Sequence, residues 1–504
     1  MYYLLNRQNL FQSVLQKLAE NYQINKRPPL KKDITYFDTF DWRLYQNGLT
    51  VYQQDNVFYL SSLKNQKEIW SWIVPDGQSY RFWWDFPGGE LQKRLTVLLD
   101  IRALLPLLSC RIQITPHDIL NEDQKVITRI FLHQYSMNIG GRPKPRLEVK
   151  PIRGYPTDYQ WINQLIKESG ILVETQPYPL HLYTKARLTP GGYSSKIHIQ
   201  LQPATPAREA LRKILLQFMS IIKINQAGIL EDWDSEFLHD FRVAIRRSRS
   251  IMGQAKYVFP HSRISQFRLR LGTLQRSTNH LRDLDVYLLR KEQYRHILPD
   301  KFRPGIDILF QEIQQERFQE HQKIKSLLSD PARRKVITEW ENYLQNTNIP
   351  NSRNSGLEIF SFSQRIIRLR LQMVLQKGNQ LLGKKPAKNK LHELRIECKK
   401  LRYLLEFFSS LYPENKITLL VDHLKTLQDL LGDINDLSIQ IRDLNRRFDF
   451  SRQSQQPGTL VLAAMAGLLT HFYQKQLELK EQFQETFRKF SNQELLTIGQ
   501  QLFG

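Results

Sequence analysis

Two stretches of this sequence space a histidine and three cations so that a helix would align them. At about 100° per residue, His239, Arg242, Arg246 and Arg249 fall within an arc of roughly 80°. His392, Arg395, Lys399 and Arg402 repeat the spacing, and Arg247 and Lys400 add a second basic residue in each copy. Guanidinium forks match phosphate oxygens, lysine supplies a point charge, and imidazole gains a proton near neutrality. The chemistry such a set performs is the gripping of a polyanion. No nucleophile sits beside a base in either stretch, so neither describes a catalytic site.

A lone Lys/Arg run on a helix is most often a solvated face. Here the apolar positions Leu238, Phe241, Ile245 and Met252 run beside the cations, as do Leu391, Leu394, Cys398 and Leu405 in the second copy. A cationic stripe bordering the buried face, rather than opposite it, lines a groove between packed helices. The offset of 153 positions persists without a gap: Phe259-Pro260 falls on Tyr412-Pro413, Thr273-Leu274-Gln275 on Thr426-Leu427-Gln428, and Asp283-Leu284 on Asp436-Leu437. A period that long indicates a duplicated domain half. Asp283 and Asp436 are expected to orient basic side chains, and Arg212, Lys223, Arg368 and Arg370 are candidates to extend the patch.

The elements that position these residues are helices throughout the second part of the chain. Helical patterns run over Glu209–Gln226, Asp234–Tyr257, Ser262–Arg290, Pro304–Leu328, Arg333–Leu344, Leu357–Leu382, Asn389–Leu411, Lys416–Phe448 and Leu460–Phe490. The Asn/Ser-rich stretch 345–356 separates the halves, giving about 204–345 and 357–504. Two helical bundles packed as a pseudo-twofold pair are expected.

Composition agrees with a polyanion partner. The chain of 504 residues carries a net charge of +24, and 41% of its residues are hydrophobic, enough to bury cores. Residues from Ala207 on hold 48 Lys and Arg against 32 Asp and Glu. Cys110 and Cys398 show no metal-ligand spacing. Neither a signal sequence nor an apolar run of about 20 residues is present, so a cytoplasmic protein is expected.

Residues 1–203 read differently. Short runs rich in β-branched and aromatic residues recur at Ile34–Thr39, Leu49–Gln53, Val57–Leu63, Lys67–Val74 and Ser79–Trp84, divided by turns such as Gln46-Asn47-Gly48 and Pro75-Asp76-Gly77. Glu90–Leu108 has a helical pattern, strands follow at Cys110–Thr115, Lys125–Tyr135 and Arg146–Ile152, and Thr157–Ser169 is again helical. Many antiparallel strands with two helices suggest a barrel or a strongly curved sheet.

Tyr36-Phe37-Asp38-Thr39, Arg43-Leu44, Gly48-Leu49 and the strand Arg146-Leu147-Glu148-Val149-Lys150 resemble the CYTH family, the triphosphate tunnel metalloenzymes. That resemblance implies a tunnel whose Glu-x-Glu-x-Lys strand holds Mg²⁺ or Mn²⁺ and whose Arg and Lys hold phosphates, with Arg111, Arg129 and Lys150 as candidates. The first ten residues contain no acid, Tyr52-Gln53-Gln54 replaces the usual basic pair, and Arg146 stands where the first Glu of the later motif is expected. Hard divalent cations need clustered oxygen ligands, so the expectation is a degenerate, non-catalytic domain with no metal and no cofactor.

Leu238-His239-Asp240-x-Arg242 with Arg246-Arg247-x-Arg249 and Leu281-Arg282-Asp283-Leu284-Asp285 looks like the first half of a CHAD domain, the conserved histidine α-helical domain. Leu391-His392-Glu393-Leu394-Arg395, Lys399-Lys400-Leu401-Arg402 and Leu427-Gln428-Asp429-Leu430-Leu431-Gly432-Asp433 look like the second. The resemblance implies inorganic polyphosphate bound in a basic cavity between the halves, often beside a CYTH domain. The fold class expected is therefore α+β: an N-terminal antiparallel β-barrel-like (CYTH-like) domain over 1–203, then an all-α duplicated helical-bundle (CHAD) domain over 204–504. The expected polyphosphate-binding set is His239, Arg242, Arg246, Arg247, Arg249, His392, Arg395, Lys399, Lys400 and Arg402. Nucleic acid, RNA in particular, is the competing partner, and a metal-dependent triphosphatase or polyphosphatase in the N-terminal domain is the competing activity.

Overall fold

The computed structural model describes all residues except 76–77, 198, 384–386 and 453–457, with Gln8 described by its backbone alone. The chain divides into two compact units, Met1–Ser194 and Ser195–Gly504.

The first unit runs β1 (Tyr2–Leu4), α1 (Gln8–Ala19), β2 (Gln23–Lys26), β3 (Leu30–Asp38), α2 (Arg43–Gln46), β4 (Leu49–Gln54), β5 (Val57–Ser62), β6 (Glu68–Ile73), α3 (Glu90–Leu99), β7 (Leu105–Leu120), β8 (Val126–Met137), β9 (Arg146–Pro151), α4 (Pro156–Glu168), β10 (Leu172–Val173) and α5 (Tyr178–Lys185). All strand pairs are antiparallel, in the order β10-β1-β9-β8-β7-β3-β4-β5-β6. β6 and β10 each have one neighbour, so the sheet is open and only loosely barrel-like. β2 and β3 both pair with β7, and Pro28-Pro29, which lack backbone donors, divide them.

Strand alternation sends one set of side chains to each face. Tyr3, Ile130, Leu147 and Val149 pack against Phe11, Val14 and Leu18 of α1 and Ile162 and Ile166 of α4. The opposite set, including Tyr36, Cys110 and Ile112, packs against Tyr178, Leu182 and Tyr183 of α5.

The predicted helix Glu90–Leu108 ends at Leu99. Asp100 takes a left-handed backbone (φ 52°), and Pro106, which cannot donate within a helix, lies inside β7. Ser79–Trp84 is not a strand: the Asp85 carboxylate accepts from the Arg81 and Phe82 amides (2.9 and 2.7 Å) and holds a short turn. Asp76 and Gly77 of the expected turn lie outside the described residues. Helices α1, α2 and α5 exceed the expected two, although Phe11, Val14 and Leu18 have legible helical spacing.

The second unit is helical: α6 (Ala207–Leu230), α7 (Ser235–Gln254), α8 (His261–Ser277), α9 (Asn279–Leu289), α10 (Lys291–Ile297), α11 (Arg303–Ser329), α12 (Pro331–Gln345), α13 (Ile359–Asn379), α14 (Lys388–Phe407), α15 (Glu414–Arg452), α16 (Thr459–Phe490) and α17 (Gln493–Phe503). Shifted by 153 positions, α7 coincides with α14 at both ends, and α8 begins where α15 begins. Asp234 caps α7, its carboxylate accepting from the Glu236 amide (2.9 Å).

The expected helix Ser262–Arg290 is broken at Thr278 and ends at Arg290, whereas its counterpart α15 is continuous through Leu430-Leu431-Gly432 and beyond. The halves also interlock. Leu284, Ile306, Leu309 and Ile313 of the first share a core with Ile441, Leu444, Leu468 and Phe472 of the second. Positions 153 apart also meet directly, where the Tyr287 hydroxyl donates to the Gln440 carbonyl (3.3 Å). The starts of α6 and α13 pair reciprocally, Ala207 N–H to Leu357 O (2.7 Å) and Ile359 N–H to Thr205 O (2.8 Å).

Gly305 sets the approach of α11 to α16, since a Cβ there would overlap the Leu460 carbonyl. Gly305→Ala should lower the stability of the helical unit by about 1–3 kcal/mol. Its urea midpoint, followed by circular dichroism at 222 nm, is the measurement, and an unchanged midpoint would show that the contact does not constrain the packing.

Candidate functional site

Helices α7, α9, α14 and α15, with Gln275 of α8, enclose a cavity of ≈1380 Å³. Six of the ten residues expected from sequence line it: His239, Arg242 and Arg246 from the first half, and His392, Arg395 and Lys399 from the second. The other four stand elsewhere, in equivalent pairs. Arg247 and Lys400 are turned one residue off the lining face and meet Glu406 (2.9 Å) and Glu397 (2.9 Å). Arg249 and Arg402 lie further along their helices, where Arg249 donates to Gln275 Oε1 (2.7 Å) and Arg402 to Glu406 (2.7 Å). Glu406 thereby ties α7 to α14 through Arg247 and Arg402.

Arg282, Arg290, Lys388 and Arg442 complete the wall, so among the described residues eight Arg and Lys face three carboxylates, Asp283, Glu393 and Asp436. These four fall outside the repeated stripe; the one available signal was Arg282 beside Asp283, with Asn435 as its equivalent. Arg212, Lys223, Arg368 and Arg370 do not line the cavity. Lys223 pairs with Glu341 (2.8 Å), and Arg370 pairs with Glu397.

The local fold decides how each cation is held. Where α8 ends, its last carbonyls lose helical partners, and Arg242 donates to Gln275 O (2.9 Å), Thr278 Oγ1 (2.7 Å) and Asn279 Oδ1 (2.8 Å). In the second half α15 has no such break, and Arg395 lies 3.5 Å from Asp436 instead. Arg246 donates to the Tyr403 hydroxyl (2.9 Å), which crosses between the halves. His392 Nδ1 donates to Asn435 Oδ1 (2.8 Å).

Crowding is visible in the proton equilibria. Burial, opposed by Asp283 and reinforced by Arg246 and Arg282, lowers Arg242 to about 10, still charged at neutral pH. Burial followed by Arg395 and Arg246 pushes Lys399 down to about 7, with Asp436 opposing. Burial also raises Asp283, against the pull of Arg242 and His280. At the rim, ligand atoms of Glu236, His239 and Asp240 lie within 4.8 Å of one another, and Arg282 lies 3.6 Å from Glu236.

The face of the first unit that carries the Arg146–Lys150 strand does not fit the divalent metal its resemblance implies. Tyr2 and Leu4 of β1 stand opposite Glu148 and Arg146 of β9. Arg146 is buried in a bidentate pair with Glu174 (2.6 and 3.0 Å), donates to Gln66 (2.7 Å) and lies over the Tyr2 ring. Glu148 is occupied by Tyr2 (3.0 Å), His133 (3.2 Å) and Lys150 (3.3 Å); burial alone would raise it, but these partners hold it at about 2. Arg111 pairs with Asp33 (2.8 Å) and Arg129 with Asp118 (2.8 Å). Glu148, Glu174 and Asp118 thus serve internal partners.

Two measurements follow. A bound polyanion stabilises protonated Lys399, so binding takes up a proton above the free value near 7. If the cavity holds long-chain polyphosphate, its affinity should fall as pH rises above 7, by up to about tenfold per unit from Lys399. Lys399→Arg should flatten the profile, because guanidinium stays charged; equal slopes in both proteins would remove Lys399 from the account. For the first unit, calorimetric titration with Mn²⁺ should show no site that depends on Glu148. Micromolar binding abolished by Glu148→Gln would restore a metal centre.

Residues 213–445 match the family model of the CHAD domain. Among solved structures, the chain is similar to the CHAD domain from the plant Ricinus communis (23% identity, 57% of this chain and 93% of that one, TM-score 0.48). It is also similar to PptA from Streptomyces chartreusis (13% identity, 56% and 100%, TM-score 0.45). A third is a putative adenylyl cyclase from Hippeastrum described as having a dominant triphosphatase activity (12% identity, 38% and 98%, TM-score 0.27). No curated protein matches the chain. Residues 213–445, whose duplicated helices wall the cationic cavity, are thus a CHAD domain.

Proposed function

We propose that the helical unit binds inorganic polyphosphate in the cavity between its two halves, and that it does so without catalysing a reaction. The observation that carries this reading is the cavity wall itself, in which eight Arg and Lys face three carboxylates. Phosphate chains repeat a negative charge at short intervals and offer no base edges, so repeated donors on both sides of a groove suit them. His239, Arg242, Arg246, His392, Arg395 and Lys399 grip the chain from the two halves. Arg247, Arg249, Lys400 and Arg402 brace the helices behind them and add to the field that attracts it. Such a protein acts in the cytoplasm, at polyphosphate granules; no helix among the described residues is long and apolar enough to cross a membrane.

RNA is the second reading, since positive charge alone does not choose among polyanions. The lining residues include no Phe, Tyr or Trp on which bases would stack, which favours polyphosphate.

Arg246→Glu with Lys399→Glu should weaken long-chain polyphosphate binding by at least about 100-fold, since both reversals fall at half-buried cavity positions. Wild-type affinity should fall steeply with salt. RNA at equal phosphate concentration should fail to displace polyphosphate. Unchanged affinity in the double variant, or displacement by RNA, would overturn the assignment.

A further inference from the structure

The main cavity continues past Arg442. Asp283, Ile439 and Arg442 line it and also line a second cavity of ≈320 Å³, whose walls include His280, Arg446 and Arg447. One face of α15 passes through both: Asn435, Ile439, Arg442 and Arg446 succeed one another at four-, three- and four-residue steps, over about 16 Å of helix. Arg442 borders both spaces, and Arg446 stands beyond it.

The two cations of the second cavity differ in how they are held. Arg447 is fixed by Asp443 (2.9 Å) and by Glu316 (2.7 Å), which also meets His280 (2.8 Å). Arg446 is 67% exposed and pairs with Asp443 alone among the ion pairs described (2.6 Å). An exposed pair of that kind contributes little and is readily exchanged for a phosphate oxygen.

The first half has no such track. Its equivalents of Arg442, Arg446 and Arg447 are Leu289, Gln293 and Tyr294, and α9 ends at Leu289. The cationic path along α15 therefore has no counterpart at the equivalent positions of the first half.

Building on the polyphosphate reading, we propose that the second cavity is an exit subsite for a linear phosphate chain, in which a chain too long for the main cavity runs along α15 from Arg442 to Arg446. The subsite selects long linear chains over short ones.

The test compares wild-type, Arg446→Glu, Arg446→Lys and Lys489→Glu full-length proteins, binding tripolyphosphate and long-chain polyphosphate at fixed salt. Lys489 is an exposed partner of Glu485 on α16 and serves as the equal-charge control. Arg446→Glu should weaken long-chain binding about tenfold and leave tripolyphosphate unchanged, Arg446→Lys should restore it, and Lys489→Glu should alter neither. An equal loss for both ligands, or the same loss in the Lys489 variant, overturns the exit subsite while leaving the main cavity standing. Wild-type protein that binds neither ligand overturns the polyphosphate reading and this one with it.

Discussion

Like charges crowded into one wall are the constraint on which the helical unit is built. Arg242, Arg246, Arg395 and Lys399 repel one another at a partly dry surface, where unit charges a few ångströms apart cost a few kcal/mol. Burial first, and the neighbouring Arg395 and Arg246 next, lower Lys399 there. Beside the cations on the same helices, Phe237, Leu238, Phe241 and Ile245 of α7 and Leu391, Leu394 and Leu401 of α14 are buried. Each such side chain contributes about 1.5–3 kcal/mol. The core therefore holds the cations in place, and a polyanion relieves the repulsion when it binds.

Duplication is an economical way to make that wall, but the copies have diverged where the cavity uses them. Arg242 rests on acceptors released by the end of α8, whereas Arg395, beside an unbroken α15, depends on Asp436. Arg246 corresponds to Lys399, whose ammonium is pushed down to about 7 by burial and by the neighbouring Arg395 and Arg246. Because α15 stays continuous, its cationic face also extends beyond the cavity. The pseudo-twofold relation describes the scaffold better than it describes the chemistry.

The first unit took a different course. Its sheet still sets β1 beside β9, but that face is stabilised by aromatic rings and by the buried Arg146–Glu174 pair rather than by clustered free carboxylates. An Arg in a bidentate buried pair is costly to disturb, so this arrangement reads as structure. Helix α5 completes it, placing Tyr178, Leu182 and Tyr183 against Tyr36, Cys110 and Ile112.

The helical architecture and the pairing of the halves were written in the spacing of His239, Arg242 and Arg246 and in its repeat 153 residues later. Periodicity shows which face of one helix is cationic, because that depends on local geometry alone. It could not separate Arg246 from Arg247 or Arg249, since only the neighbouring α8, α9 and α15 decide which cation meets empty space and which meets Glu406 or Gln275. Arg290, Lys388 and Arg442 were invisible for the same reason: they reach the cavity from outside the repeated stripe. In the first unit, sequence located most strands but ran α3 on into β7, because Leu104 to Leu108 are apolar in either conformation and the left-handed turn at Asp100 is a property of the folded chain. Sequence by itself determined the helices and which of their faces are cationic; tertiary structure decided which of those charges meet the cavity, because that depends on what packs against each helix.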